Sequence, residues 1–279
     1  MDKTMTEFAD ADSRIQPGKP EKKQDSFIMF LLKLVLIVFI FRSFFFSPFN
    51  IPSESMLPRL LVGDYLLAAK WPYGFSRYSL PLSIPLIPSR ILASQPERGD
   101  VVIFKAPPKN DLDYIKRVIG LPGDQIQMRS GQLFINGQAV PKKRIEDFVV
   151  PVTPNTQCYF ESLKDRLPDG SEVCRYPQYR ETLPGGRSYN VIDIGYTPQD
   201  DTPVVVVPEG KMFVMGDNRD SSQDSRFPAV PGQGVGLVPQ DNLVGKAAVI
   251  MFSTDGSAEW YKPWTWLTAT RWNRIGGTF

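Results

Sequence analysis

The chain has 279 residues, of which 42% are hydrophobic and 22% charged, and its formal net charge is +2. This composition is typical of a globular protein, and the nearly balanced charge argues against nucleic acid as a partner. The chain contains no histidine and only two cysteines. It therefore cannot form a Ser-His-Asp triad, a Cys-His pair, or a zinc site made of imidazoles or of four thiolates.

The N-terminal region divides into a polar tail, residues 1–26, and an apolar stretch, residues 27–46, with the sequence FIMFLLKLVLIVFIFRSFFF. The tail is predicted to be disordered. Twenty residues at about 1.5 Å each span the ~30 Å hydrocarbon layer of a membrane. A buried core helix is one alternative, but no second helical segment is available to cover it. A cleaved signal peptide is another, but the bulky residues RSFFFSPFN do not suit a cleavage site. The stretch predicts an uncleaved transmembrane anchor.

The basic residues around this anchor predict its orientation. Four of them precede it within twenty residues, whereas only Arg59 follows within a similar distance. The positive-inside rule therefore places the tail in the cytoplasm and the remainder outside, across a plasma membrane or an internal one such as a thylakoid. Disulfides persist in such a compartment, and Cys158 and Cys174 would close a loop of about 15 residues. Two unpaired thiols are the alternative.

The residues after the anchor predict a mainly β, antiparallel domain. The 26 prolines and 21 glycines disfavour a helical bundle, and Asn136-Gly137 is typical of a type I′ hairpin turn. Segment 141–203 is polar and proline-rich, so we interpret it as a β-rich insertion or subdomain between residues 47–140 and 204–279. Strands are predicted within GDVVIFKAP, YIKRVIGLPGD, QLFINGQAV, PVVVVPEGKMFVMGDN and VGKAAVIMF.

The decapeptide IPSESMLPRL places Ser53 and Ser55 on a turn-prone segment soon after the anchor. Without histidine, a serine nucleophile needs another base, and burial can lower a lysine pKa by up to about 3–5 units. Lys116 lies between Tyr114 and Val118 on one face of a predicted strand, which would desolvate its amine. A surface lysine whose stem packs on its apolar neighbours is the alternative.

A polar stretch, GDNRDSSQDSR at residues 216–226, directly follows the predicted strand KMFVM. One interpretation is a solvated loop with internal Asp–Arg pairs. The other is a buried polar site whose hydrogen bonds orient a lysine.

Together, IPSESMLPRLLVGDYLL, RGDVVIFKAP, YIKRVIGLPGD and GDNRDSSQDSR resemble the type I signal peptidases, which are membrane-anchored Ser/Lys endopeptidases that remove signal peptides from exported proteins. The motifs occur in the family's order and their segments cover about half the chain. The resemblance implies that Ser55 is the nucleophile and Lys116 the general base. Ser53 and the main-chain N–H of Ser55 would form the oxyanion hole. The mechanism requires no metal or cofactor. Supporting roles are implied for Ser222, which would hydrogen-bond the lysine, for Asp224 and Arg226, and for a pair of Arg117 with Asp217.

The resemblance also implies the substrates, which are exported preproteins cut after Ala-x-Ala-like sites. Small side chains would enter shallow apolar pockets. The substrate pockets are expected to be lined by Phe49, Ile51, Met56, Tyr114 and Ile115.

The chain departs from the family motif at two positions. Where the family often has Gly and Thr, this chain has Glu54 and Arg59, which are expected to be solvent-exposed.

Membrane lipids are a second expected partner. The aromatic run FFFSPFN, an irregular apolar loop at 71–98 and the four tryptophans between 260 and 272 could contact the membrane interface. Ordinary core packing is the alternative for the tryptophans.

Three other functions compete. They are a specialised Ser/Lys peptidase with few substrates, a non-catalytic membrane-anchored binding protein, and an autoproteolytic Ser/Lys repressor relative. The anchor and the absence of DNA-binding helices argue against the repressor.

Overall fold

The computed structural model describes residues 27–279, so the predicted disordered tail, 1–26, lies outside the described residues. Helix α1, Phe27–Phe44, is long and apolar enough to cross a membrane. It ends two residues before the predicted anchor does, because Phe46 already pairs with Ala69 as the first residue of a strand. Two compact units are distinguished, one ending at Ile37 and one comprising Val38–Phe279.

The second unit is mainly β and antiparallel, which confirms the predicted fold class. Besides α1, the described residues contain one short α-helix, α2, Pro263–Ala269. The strands are β1 (Phe46–Asn50), β2 (Asp64–Ala69), β3 (Val101–Lys105), β4 (Asp113–Gly120), β5 (Gln125–Arg129), β6 (Gln132–Ile135), β7 (Gln138–Ala139), β8 (Lys142–Pro151), β9 (Lys164–Arg166), β10 (Glu172–Thr182), β11 (Ser188–Ile192), β12 (Val205–Val206), β13 (Lys211–Met215), β14 (Val238–Pro239) and β15 (Leu243–Ser253).

The strands form three sheets. A seven-stranded sheet has the order β1-β2-β15-β3-β4-β13-β14, and a four-stranded sheet has the order β12-β5-β6-β7. The other four-stranded sheet consists of β11-β10-β8, with β9 paired to β10, and all its strands lie within 141–203. We call it the insertion sheet.

Local sequence explains several of these elements. The predicted hairpin joins β6 to β7, with positive φ angles of 53° at Asn136 and 78° at Gly137. Such angles match the right-handed twist of the two strands. Segment 71–98 contains three short 3₁₀ turns and no strand, which fits its five prolines.

Apolar side chains on both faces of the central strands build the core, so that four consecutive residues of β3, from Val101 to Phe104, are buried. One cluster packs the serine-bearing segment against the seven-stranded sheet through Ile51, Met56 and Leu60. Another packs Leu57 and Leu61 against residues of the insertion sheet. The serine-bearing segment is therefore held from two sides by buried apolar contacts.

Candidate active site

Ser55 lies in the connection between the antiparallel strands β1 and β2. The base of this connection is closed by two hydrogen bonds: Ile51 N donates to Asp64 O at 2.8 Å, and Gly63 N donates to Ile51 O at 3.0 Å. The buried Asp64 carboxylate also accepts from Leu61 N at 2.8 Å. These contacts fix the segment, and Ser55 itself is only 6% exposed.

Lys116 lies on β4, between β3 and β13 in the seven-stranded sheet. Its Nζ is 2.7 Å from Ser55 Oγ, although the two residues are 61 positions apart in the chain. The amine also donates to Ile115 O at 3.0 Å, and it lies 5.6 Å from the centre of the Tyr114 ring. The structure thus brings together the two residues proposed as nucleophile and base.

The surroundings of Lys116 favour its neutral form. Burial lowers the pKa of Lys116 from 10.5 to about 8, and the neighbouring carboxylates of Asp224 and Asp217 only partly oppose this effect. At pH 7 roughly one lysine in ten with such a pKa is neutral, compared with about one in 3,000 at the ordinary value. A neutral amine can accept the proton of the Ser55 hydroxyl.

Ser53 is placed beside Ser55. It is exposed, and its Oγ is 3.4 Å from Ser55 Oγ. Asn218 fixes the main chain at the same point, because its N–H donates to Ser55 O at 3.1 Å and its Nδ2 to Glu54 O at 3.2 Å.

The two positions that depart from the family motif were both expected to be exposed. Glu54 is half-buried rather than exposed, whereas Arg59 is exposed as expected.

Two buried ion pairs hold the polar stretch 216–226. Arg117 donates to both oxygens of Asp217, at 2.8 and 2.6 Å. Arg226 Nε donates to Asp224 at 2.9 Å, and both of these side chains have no exposed surface. Although burial opposes it, Arg226 holds the pKa of Asp224 below its usual value. The expected pair of Arg117 with Asp217 is therefore formed, and Asp224 and Arg226, for which supporting roles were expected, pair with each other.

Ser222 does not make the hydrogen bond expected of it. Its Oγ is buried and has no hydrogen-bond partner among residues 27–279, while Lys116 Nζ bonds to Ser55 and Ile115 instead. Ser222 nevertheless lines the same cleft as Ser55 and Lys116. A Cβ atom at Gly216 would collide with the Ser222 side chain, so the glycine allows this close approach.

Ser55 and Lys116 open into a cleft of about 860 Å³. Phe49, Ile51, Tyr114 and Ile115 line it, as expected for substrate-binding residues. Met56 does not: its side chain has no exposed surface and packs in the core cluster with Ile51. The expectation for Met56 is corrected on this point, because the turn after Ser55 directs it into the core.

Sequence reasoning missed several residues around the cleft. Tyr159, from the predicted insertion, lines it, as do Gln223 and Gln233. Cys158, next to Tyr159, forms a disulfide bond with Cys174 on β10. Nothing in the local pattern of 141–203 indicates a position at the cleft. Asn218 and Gln223, in contrast, are part of the polar stretch that sequence analysis had already singled out.

Comparison with known proteins gives consistent matches. A family model described as "Signal peptidase, peptidase S26" matches residues 24–252. The signal peptidase I of Rickettsia typhi is 36% identical over 246 residues, which cover 85% of this chain and 82% of the relative. That of Rickettsia massiliae is 32% identical and covers 95% of each chain. A crystal structure of a signal peptidase I from Enterococcus faecalis is 25% identical and covers 56% of this chain and 98% of its own, with a TM-score of 0.29.

Proposed function

Since the chain belongs to the signal peptidase family, peptidase S26, and is therefore a hydrolase that cleaves signal peptides from preproteins, we propose that it does so with a dyad of Ser55 and Lys116. The observation that supports this assignment best is the 2.7 Å contact between Ser55 Oγ and Lys116 Nζ. The low pKa of the buried amine supports it further.

The reaction proceeds as two acyl transfers. Neutral Lys116 accepts the proton of Ser55, whose Oγ attacks the scissile carbonyl. Hydrogen bonds from Ser53 Oγ and from the Ser55 N–H stabilise the negative charge that develops on the carbonyl oxygen. The Lys116 ammonium then protonates the departing amine, which leaves an ester on Ser55. A water molecule gives a proton to Lys116 and attacks this ester, and the proton returns to Ser55 Oγ as the signal peptide leaves.

The edge of β4 suits an extended substrate. β3 pairs with β4 from Asp113 to Arg117, whereas β13 pairs with it only from Arg117 onward. Among the described residues, one edge of Asp113–Lys116 therefore has no strand partner, and a substrate strand can add to it beside the dyad. Apolar side chains that line the cleft at this point would admit small residues such as Ala and exclude larger ones.

Membrane lipids are the second partner that we propose. Segment 71–98 packs on the last turn of α1 and its continuation, with ring centres 5.1 Å apart for Phe44 and Phe75 and 4.9 Å apart for Phe46 and Trp71. Where α1 leaves a bilayer, this loop would therefore lie at its surface. Three leucines of the loop are strongly exposed: Leu82 (96%), Leu86 (70%) and Leu92 (80%).

The C-terminal tryptophans do not pack in the core, which was the alternative for them. All four are more than half exposed, between 51% and 83%, as suits a membrane interface. They are Trp260, Trp264, Trp266 and Trp272. In this arrangement α1 spans the membrane, its N-terminus is cytoplasmic and the β domain lies outside.

The test is cleavage of a precursor with an Ala-x-Ala site by the full chain in detergent. Ser55→Ala and Lys116→Ala should each lose at least about 10⁴-fold in kcat, since dyad members act as a unit. Lys109→Ala, which changes an exposed lysine, is the matched control and should keep wild-type activity. Wild-type kcat/KM should rise from pH 6 to 9 with an apparent pKa of about 8, because Lys116 must be neutral.

The outcomes separate the competing functions. Activity that survives in Lys116→Ala would exclude this lysine as the base. Cleavage of a few precursors only would favour a specialised peptidase. Binding of the precursor without any cleavage by the wild type would favour a non-catalytic binding protein.

A further inference from the structure

A buried ion pair joins the insertion sheet to the polar stretch 216–226. Glu181, on β10, accepts from Arg219 Nη1 at 2.9 Å and from Nη2 at 2.6 Å. The side chains of Arg219 and Glu181 are only 2% and 0% exposed. Tyr189, on β11, donates to the same carboxylate at 2.8 Å. Burial disfavours the Arg219 cation, but Glu181 more than compensates and raises the pKa of Arg219. Two buried charges that satisfy each other in this way fix the relative position of the elements that bear them.

Main-chain hydrogen bonds continue this connection to the nucleophile. Arg219 N donates to Ile192 O at 2.9 Å, and Ile192 N donates to Asp217 O at 2.9 Å, so the end of β11 pairs with the polar stretch. Asn218 lies between Asp217 and Arg219 in the chain, and its main-chain N–H donates to the carbonyl oxygen of Ser55. Glu181 is thus linked to the Ser55 main chain through Arg219 and Asn218.

A second connection leads towards the base. The Tyr189 ring lies beneath the guanidinium of Arg117, with 4.3 Å between the guanidinium carbon and the ring centre. Arg117 is the neighbour of Lys116 on β4, and it pairs with Asp217. The residues bonded to Glu181 therefore reach the immediate neighbours of both dyad members.

We propose that Glu181 is a positioning residue, which acts through Arg219 to hold Ser55 at the distance from Lys116 that proton transfer requires. This inference rests on the proposed function of the dyad. It also assigns a role to the insertion sheet, which is to support the catalytic geometry from behind the polar stretch. A displacement of about 1 Å at a reacting group can reduce the rate by about 10²-fold, so a remote pair of this kind can affect kcat without contacting substrate.

Replacement of Glu181 by glutamine tests the proposal, because the amide keeps the size of the side chain and removes its charge. For the full chain in detergent, we expect kcat to fall by about 10- to 100-fold with KM within twofold of wild type. Val173→Ala is the matched control. It removes a buried side chain, which is 1% exposed and lies eight positions before Glu181 on the same strand, and it should lower the unfolding midpoint while leaving kcat unchanged. Should Glu181→Gln fail to fold, Glu181→Asp, which keeps the charge on a shorter side chain, takes its place in the same assays.

Amide hydrogen exchange provides a second readout that does not depend on activity. In Glu181→Gln, the amides of Asn218 and Arg219 should exchange at least about tenfold faster than in wild type, and those of β15 should be unaffected. A variant with wild-type kcat and wild-type exchange at these two amides would refute the positioning role. If the wild type cleaves no precursor, the proposed function fails, whereas the exchange measurement still decides whether Glu181 holds the polar stretch.

Discussion

Replacing Lys116 by methionine should abolish cleavage and stabilise the fold at neutral pH. The pKa of Lys116 is about 8 in the folded protein and 10.5 when unperturbed. A difference of about 2.5 units corresponds to roughly 3 kcal/mol against the folded state at any pH below 8. Methionine avoids this cost but loses the hydrogen bonds to Ser55 Oγ and Ile115 O, each worth about 1 kcal/mol. The net gain is about 1–2 kcal/mol, or roughly 2–8 °C in Tm for a domain of this size.

The pH dependence identifies the cause of this gain. Between pH 8 and 10.5 the unfolded chain keeps the Lys116 proton and the folded chain loses it, so wild-type stability rises with pH relative to the variant. At pH 10 only about 1 kcal/mol of the cost remains. Urea unfolding of both proteins in detergent, followed by circular dichroism at pH 7 and pH 10, measures the two differences. The advantage of Lys116→Met should therefore disappear or reverse at pH 10.

Lys70 offers a matched control. It is 3% exposed, and burial lowers its pKa to about 8 as well, but its amine lies over the Phe49 ring, 5.7 Å from the ring centre, rather than against Ser55. Lys70→Met should gain stability at pH 7 in the same way and keep its kcat. If both variants are less stable than wild type at pH 7, the lowered lysine pKa values do not reflect a cost of burial, and the reasoning is refuted.

Three further predictions concern the oxyanion hole, a buried ion pair and the two cysteines. Ser53→Ala should reduce the rate constant of single-turnover cleavage by about 10²–10³-fold with an unchanged unfolding midpoint, and a loss below threefold would exclude Ser53 from the oxyanion hole. Asp217→Asn leaves Arg117 buried without its anionic partner and should cost about 3–5 kcal/mol in urea unfolding at pH 7; a cost below 1 kcal/mol would mean that the pair is not desolvated. Double replacement of Cys158 and Cys174 by serine should cost about 3 kcal/mol under non-reducing conditions, and unchanged stability together with alkylation of both thiols in the wild type would show that the bridge is absent.

The sequence predicts the elements of this fold better than the contacts between them. β4 follows from its aromatic and β-branched residues and the turn signal after it, and the hairpin follows from the turn chemistry of Asn136-Gly137. Both signals act between neighbours in the chain. The contact of Ser55 with Lys116 spans 61 positions, and only the resemblance to a family indicated it. Periodicity gave no means to foresee that Met56 turns into the core, since its own neighbours Ser55 and Leu57 are both buried as well. The pair of Glu181 with Arg219 was missed for another reason, because each residue alone is an ordinary charge in a polar segment.

Lys70 and Lys116 differ in the property that would make a lysine the base of the proposed reaction. Both have apolar neighbours in the sequence, Ala69 and Trp71 for Lys70, and Ile115 and, across one position, Val118 for Lys116. Burial lowers both pKa values to about 8, so a neutral amine is equally available at the two sites. Only Lys116 has a serine hydroxyl 2.7 Å from its nitrogen. Desolvation is therefore necessary for the proposed chemistry and does not suffice for it, since the base is selected by the elements that hold Ser55 in place. If this is correct, loosening those elements through Glu181 should lower kcat while leaving the apparent pKa of the pH profile near 8.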